Sequence, residues 1–141
     1  GALAVPVLTP TEPLAPVITP GFPTGVITGT LSYPSEALPD ERVVAWCTTD
    51  DSHYSLDTLA GQFDYQLEVP TGTYLVVAYS MEGNGFPSGL AGGCTRMVPC
   101  GLTAACTEHT LIPVTVAAGV TLTNINPADW YADTGAFPPM P

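Results

Sequence analysis

From Gln62 to Val69 the chain alternates without a fault. Phe63, Tyr65, Leu67 and Val69 fall on one side, and Gln62, Asp64, Gln66 and Glu68 on the other. A period of two belongs to a β-strand with one face in a core and one in water. Pro70-Thr71-Gly72 then turns the chain into a second apolar run, 73–81. The same punctuated pattern recurs over 26–33, 42–48, 54–59, 107–116 and 120–126, the last two joined by the Ala117-Ala118-Gly119 turn. Gly29 stands on the apolar side of the first run and predicts close approach of another backbone. No stretch carries convincing helical periodicity. Short strands separated by turn signals describe an all-β chain, and seven of them describe a β-sandwich.

Two of these runs are apolar on both faces. Tyr74, Val76 and Ala78 oppose Leu75, Val77 and Tyr79, while Val43, Ala45 and Cys47 oppose Val44 and Trp46. A sandwich strand has one inner face. The other face therefore needs a cover, which is the 82–106 insertion, the N-terminal arm or another subunit.

That arm, residues 1–24, is unlike the rest. Ala4-Val5-Pro6-Val7-Leu8-Thr9-Pro10 returns ten residues later as Leu14-Ala15-Pro16-Val17-Ile18-Thr19-Pro20. Six prolines from Pro6 to Pro23 exclude a helix, and Glu12 is the arm's only charge. An extended apolar segment of this kind needs a surface to lie against. Val5, Val7, Leu8, Val17 and Ile18 are its predicted anchors for docking on a neighbouring subunit. The organisation expected is an arm (1–24), a sandwich (25–131) with a long cysteine-bearing insertion (82–106), and a Pro-rich tail (132–141).

The chain has 13 acidic residues, no lysine, and Arg42 and Arg96 as its only basic side chains, for a net charge of -11. That balance excludes nucleic acid and anionic membranes as partners. No apolar run of about 18 residues escapes Pro or Gly punctuation, so no membrane-inserted helix is expected. The start at Gly1 without Met reads as a mature, processed form. Four cysteines in a lysine-free chain predict two disulfides and an oxidising, extracellular or cell-surface location. Their spacing fits no zinc pattern. Cys100 and Cys106 flank a five-residue turn and are expected to pair, leaving Cys47 to pair with Cys94. The competing arrangement joins Cys94 to Cys100 and Cys47 to Cys106.

The opening Gly25-Val26-Ile27-Thr28-Gly29-Thr30-Leu31, the Phe63 strand, the Val69-Pro70-Thr71-Gly72-Thr73-Tyr74 corner and the closing Ala118-Gly119-Val120-Thr121 resemble the carboxypeptidase regulatory-like domains. The resemblance covers about residues 25–126 without the insertion. It implies a transthyretin-like, seven-stranded Greek-key sandwich serving as a structural, adhesive or accessory module.

Catalytic constellations are thin. His53 and His109 are the only histidines, and no HExxH, GxSxG or P-loop occurs. Ser52 and His53 are adjacent on an extended chain and point apart, so with Asp50 and Asp51 they read as a solvated turn. Asp50 and Asp51 with Asp57 or Glu41 lack the spacing of a calcium loop. Trp130, Tyr131 and Phe137 read either as a sugar-stacking platform or as aromatics closing the open end of the core. No catalytic, cofactor-binding or metal-ligating residue is expected, and no cofactor. The chain reads as a secreted, non-enzymatic subunit that self-assembles into a pilus-like filament, its partners copies of itself held through the arm. The alternative is a monomeric accessory module that binds surface carbohydrate or protein, with the arm as linker.

Overall fold

A computed structural model describes residues 23–35, 37–82, 86–133 and 135–141. The arm anchors Val5, Val7, Leu8, Val17 and Ile18 lie outside the described residues. The described chain is all-β, with eight strands: β1 Thr24–Thr30, β2 Glu41–Cys47, β3 His53–Thr58, β4 Asp64–Pro70, β5 Gly72–Ser80, β6 Ala91–Gly93, β7 Val114–Val116 and β8 Thr121–Leu122. They form two sheets packed as a β-sandwich, ordered β4-β1-β8 and β3-β2-β5-β6. β7 and β6 share one edge of β5, β7 along Gly72–Tyr74 and β6 along Val77–Tyr79.

The alternation read from the sequence places the core. Tyr65, Leu67 and Val69 of β4 are buried with Ile27 of β1, while Asp64, Gln66 and Glu68 are exposed. Facing them are Val43 and Ala45 of β2, Tyr74, Val76 and Ala78 of β5, and Val114 and Val116 of β7. Each such aliphatic side chain stabilises the fold by about 1.5–3 kcal/mol relative to exposure. Gly29 meets the close approach it predicts: a Cβ there would overlap the Ile125 carbonyl, because 120–126 runs alongside β1.

Four expectations are corrected. The first is Phe63, which is 59% exposed, as is its neighbour Leu59 at 70%. Both lie in the β3–β4 connection, beyond the end of the β1–β4 ladder at Thr30–Asp64. The second concerns the strands expected over 107–116 and 120–126, which shorten to three and two residues. Pro113 lacks the N–H a ladder needs just before β7, and Asn124 takes a positive φ of 60° just after β8.

The third is the cover of the two-sided strands. Val44, Val77 and Tyr79 are buried on the outer face of their sheet by Phe137, with Ala132 and Met140 beside it, together with Leu111. The Tyr79 hydroxyl donates to the Pro138 carbonyl at 2.7 Å and accepts from Trp46 Nε1–H at 3.0 Å. The tail from Ala132 is thus packed as part of the sandwich. From the 82–106 insertion, Ala91 adds to this outer cluster. The insertion also supplies β6, which the sequence pattern did not announce.

The fourth is the second disulfide. Cys100 and Cys106 are bonded, with Cα atoms 6.1 Å apart. Cys47 and Cys94 are free thiols. Cys47 pairs in register with Tyr74 on one side of β5, and Cys94 bonds to Val76 on the other. Two strand spacings, about 9–10 Å, separate them. A disulfide tolerates at most ~7 Å between Cα atoms.

Candidate functional site

Beyond β1 the chain reaches Tyr33, whose ring meets Phe86 edge-on at 5.3 Å and Trp130 at 5.1 Å. Trp130 lies over Gly92, where any Cβ would overlap the indole. On the next residue, Gly93, a Cβ would come 2.8 Å from both Phe137 and Leu111. Successive strand residues present opposite faces. The Gly92-Gly93 pair therefore lets one aromatic ring close on each face of β6.

Asp129 holds Trp130 in place. Asp129 and Gly93 exchange backbone bonds, each at 3.0 Å. The Asp129 side chain is fully buried and is satisfied three ways. It accepts from Thr95 Oγ1 at 2.6 Å and from the Tyr131 backbone N–H at 3.0 Å, and it pairs with His109 Nδ1 at 2.7 Å. This network joins residues 14, 20 and 34 positions apart in the chain. No spacing in the sequence signals it.

Around the outer edge of β6 these groups frame a groove of about 500 Å3, a volume suited to a small ligand or a few residues of chain. Tyr33, Leu90 and Trp130 line it with Phe137, Pro138 and Pro139, and Asp133 is its one carboxylate. Leu90 is 48% exposed. The Trp130 Nε1–H is buried without an acceptor among the described residues.

The backbone of β6 adds a second feature. Gly93 directs both its polar groups outward to Asp129, while Cys94 N–H and the Leu90 carbonyl bond inward to β5. The alternation of an antiparallel ladder then turns the N–H and C=O of Ala91 outward. No backbone partner meets them among the described residues. Gly89 is already used, its N–H bonded to the Ser80 carbonyl at 2.7 Å. Among the described residues the groove thus offers an open strand edge at Ala91 between apolar walls, a setting for stacking and backbone pairing.

The other predicted residues are dispersed. Asp50 accepts from the Ser52 backbone N–H at 2.8 Å and from its hydroxyl, and these bonds hold its carboxyl below the ordinary carboxylate range. The Ser52 hydroxyl is thereby committed away from His53, whose ring packs on Trp46 at 5.0 Å. Asp57 is paired with Arg42 at 2.7 Å on the outer face. Glu41 lies on the inner face, fully buried, so the four acids do not converge. Of the aromatics Trp130, Tyr131 and Phe137, the first and last line the groove, while Tyr131 is 57% exposed and does not. Comparison with protein-family models, with curated proteins and with solved structures returns no match.

Proposed function

We propose that this chain is a structural subunit that assembles outside the cell into a filament, its N-terminal arm docking on the next copy. The observation that carries the reading is polarity. β1 starts at Thr24, at the end of the sandwich where β4 ends and β5 begins. The groove lies at the other end, beside Tyr33 and Leu90. A connection from one end of a subunit to the opposite end of its neighbour is heterologous and does not close, which gives a fibre. That the outer face of β2 and β5 is already covered supports this groove, rather than the sheet face, as the arm's docking site.

The Pro70-Thr71-Gly72 corner and the Val-Pro-x-Gly-Thr-Tyr resemblance support reading the sandwich as a Greek key of the carboxypeptidase regulatory-like kind. The acidic, lysine-free surface and the Cys100–Cys106 bond support an extracellular or cell-surface setting. A monomeric carbohydrate-binding module draws less support, since Tyr33 and Trp130 meet at 70° and form no common flat platform.

The test compares the full chain with one lacking residues 1–22. Light scattering and electron microscopy should find filaments of the full chain and monomers of the truncation. Continued assembly of the truncated chain would sink the proposal.

A further inference from the structure

We infer that the segment Pro16-Val17-Ile18-Thr19-Pro20 of one copy occupies the β6 groove of the next, with Ile18 pairing to Ala91. The inference rests on the filament reading and names its docking site.

The fit is one of backbone arithmetic. In an extended strand, residues i and i±2 turn their polar groups to the same side. On that side of Ile18 the flanking positions are Pro16 and Pro20, which have no N–H to offer. The segment can therefore donate from one residue only. On the groove side Gly93 has both its polar groups bonded to Asp129 and Gly89 has its N–H bonded to Ser80, so among the described residues Ala91 is the one with both N–H and C=O open. Opposed residues share a face, so Ile18 falls on the Phe137 side and Val17 on the Trp130 side. The occupant's lack of charge matches walls that carry one carboxylate, Asp133.

Reach decides between a subunit's own groove and its neighbour's. From Pro23 to Leu31 the chain rises about 26 Å at ~3.3 Å per residue, and Tyr33 lies beyond. Ile18 is five residues before Pro23 and extends at most about 18 Å from it. It cannot reach its own groove. It reaches the groove of a copy whose Tyr33 end abuts the Pro23 end. The first repeat, with Leu8 between Pro6 and Pro10, has the same pattern but a longer tether.

The experiment uses two full-length variants, Ile18→Asp and Leu90→Glu, in sedimentation velocity and light scattering. Leu90 is half exposed, so its variant is expected to melt like the wild type. Each variant alone should raise the concentration needed for assembly at least about tenfold. Mixed, they should give dimers that do not grow, since the mixture holds one working arm and one working groove per pair. If Leu90→Glu assembles like wild type while the chain lacking residues 1–22 does not, docking is elsewhere and this site is wrong, with the filament reading intact. If the two variants melt normally, each fails to assemble, and their mixture stays monomeric, the pairing of Ile18 with this groove is wrong. A wild-type chain that never assembles overturns both.

Discussion

Glu41 is the inward-facing first residue of β2, fully buried, and its carboxyl has no hydrogen-bond partner among the described residues. Its cross-strand neighbours Thr58 and Ser80 are buried hydroxyls, but both are committed elsewhere. Thr58 donates to the Glu41 carbonyl at 3.2 Å and Ser80 to the Pro87 carbonyl at 2.9 Å. Burial without compensation disfavours the charged form and pushes the Glu41 pKa from 4.5 to about 8. The folded chain then holds this proton to higher pH than the unfolded chain does. Stability is fully present below pH 4.5 and is lost as pH rises through about 8. The loss is about 1.4 kcal/mol per pH unit, with a ceiling of about 5 kcal/mol over the interval. Relaxation of this end of the core to admit water lowers the figure. For a domain of this size it corresponds to a fall in Tm on the order of 10 °C between pH 5 and 8.5. Glu41→Gln keeps the shape of the protonated acid and removes the titration. Thermal melts of both proteins across that range isolate Glu41, because every other acid and both histidines are common to the two. The variant should match or slightly trail the wild type at pH 5 and exceed it by several kcal/mol at pH 8.5. A difference between the two that stays flat with pH would refute the reasoning.

Three further outcomes follow from packing and covalent chemistry. Phe137→Ala uncovers Val44, Val77 and Tyr79 and should destabilise by about 3–4 kcal/mol in urea melts, whereas a separate, unpacked tail would tolerate it. Gly92→Ala drives a Cβ into the Trp130 indole. It should cost about 1–3 kcal/mol and shift tryptophan emission, while an unchanged spectrum would remove Gly92 from the positioning of that ring. Mass mapping without reduction should find Cys100 linked to Cys106, with Cys47 and Cys94 both alkylatable after unfolding. A Cys47–Cys94 peptide would contradict the two-strand separation. In the native protein Cys47, half-buried, should label faster than Cys94, which is buried and whose thiol pKa burial pushes up.

The all-β class was legible in period-two runs. Burial in β4 follows the side-chain pattern from Tyr65 to Val69 because a strand with one wet face records its own orientation in alternate residues. Gly29 announced a backbone approach for the same local reason, since an absent Cβ is a space. The Cys100–Cys106 bond was legible because six residues keep two thiols within reach whatever the rest of the chain does. Reading failed where the deciding contact was distant. Phe63 keeps the alternation but lies past the end of its ladder, in a connection that leaves it exposed. Cys47 ends β2 and Cys94 follows β6, and β5 passes between them. The doubly apolar faces of β2 and β5 did declare that a cover exists.

What the sequence by itself determined is local: strand periods, turns, a net charge of -11, and an arm in which prolines stand two residues to either side of Leu8 and of Ile18. Only the tertiary structure decided that the tail covers the outer face, that Asp129 gathers Thr95, His109 and Gly93 to fix Trp130, and that the polar groups of Ala91 turn away from β5. The physical reason is that side-chain pattern states how much surface must be buried and on which side of a strand. The identity of the partner depends on how the sheets stack and where each chain segment returns, which is information held between residues far apart in sequence.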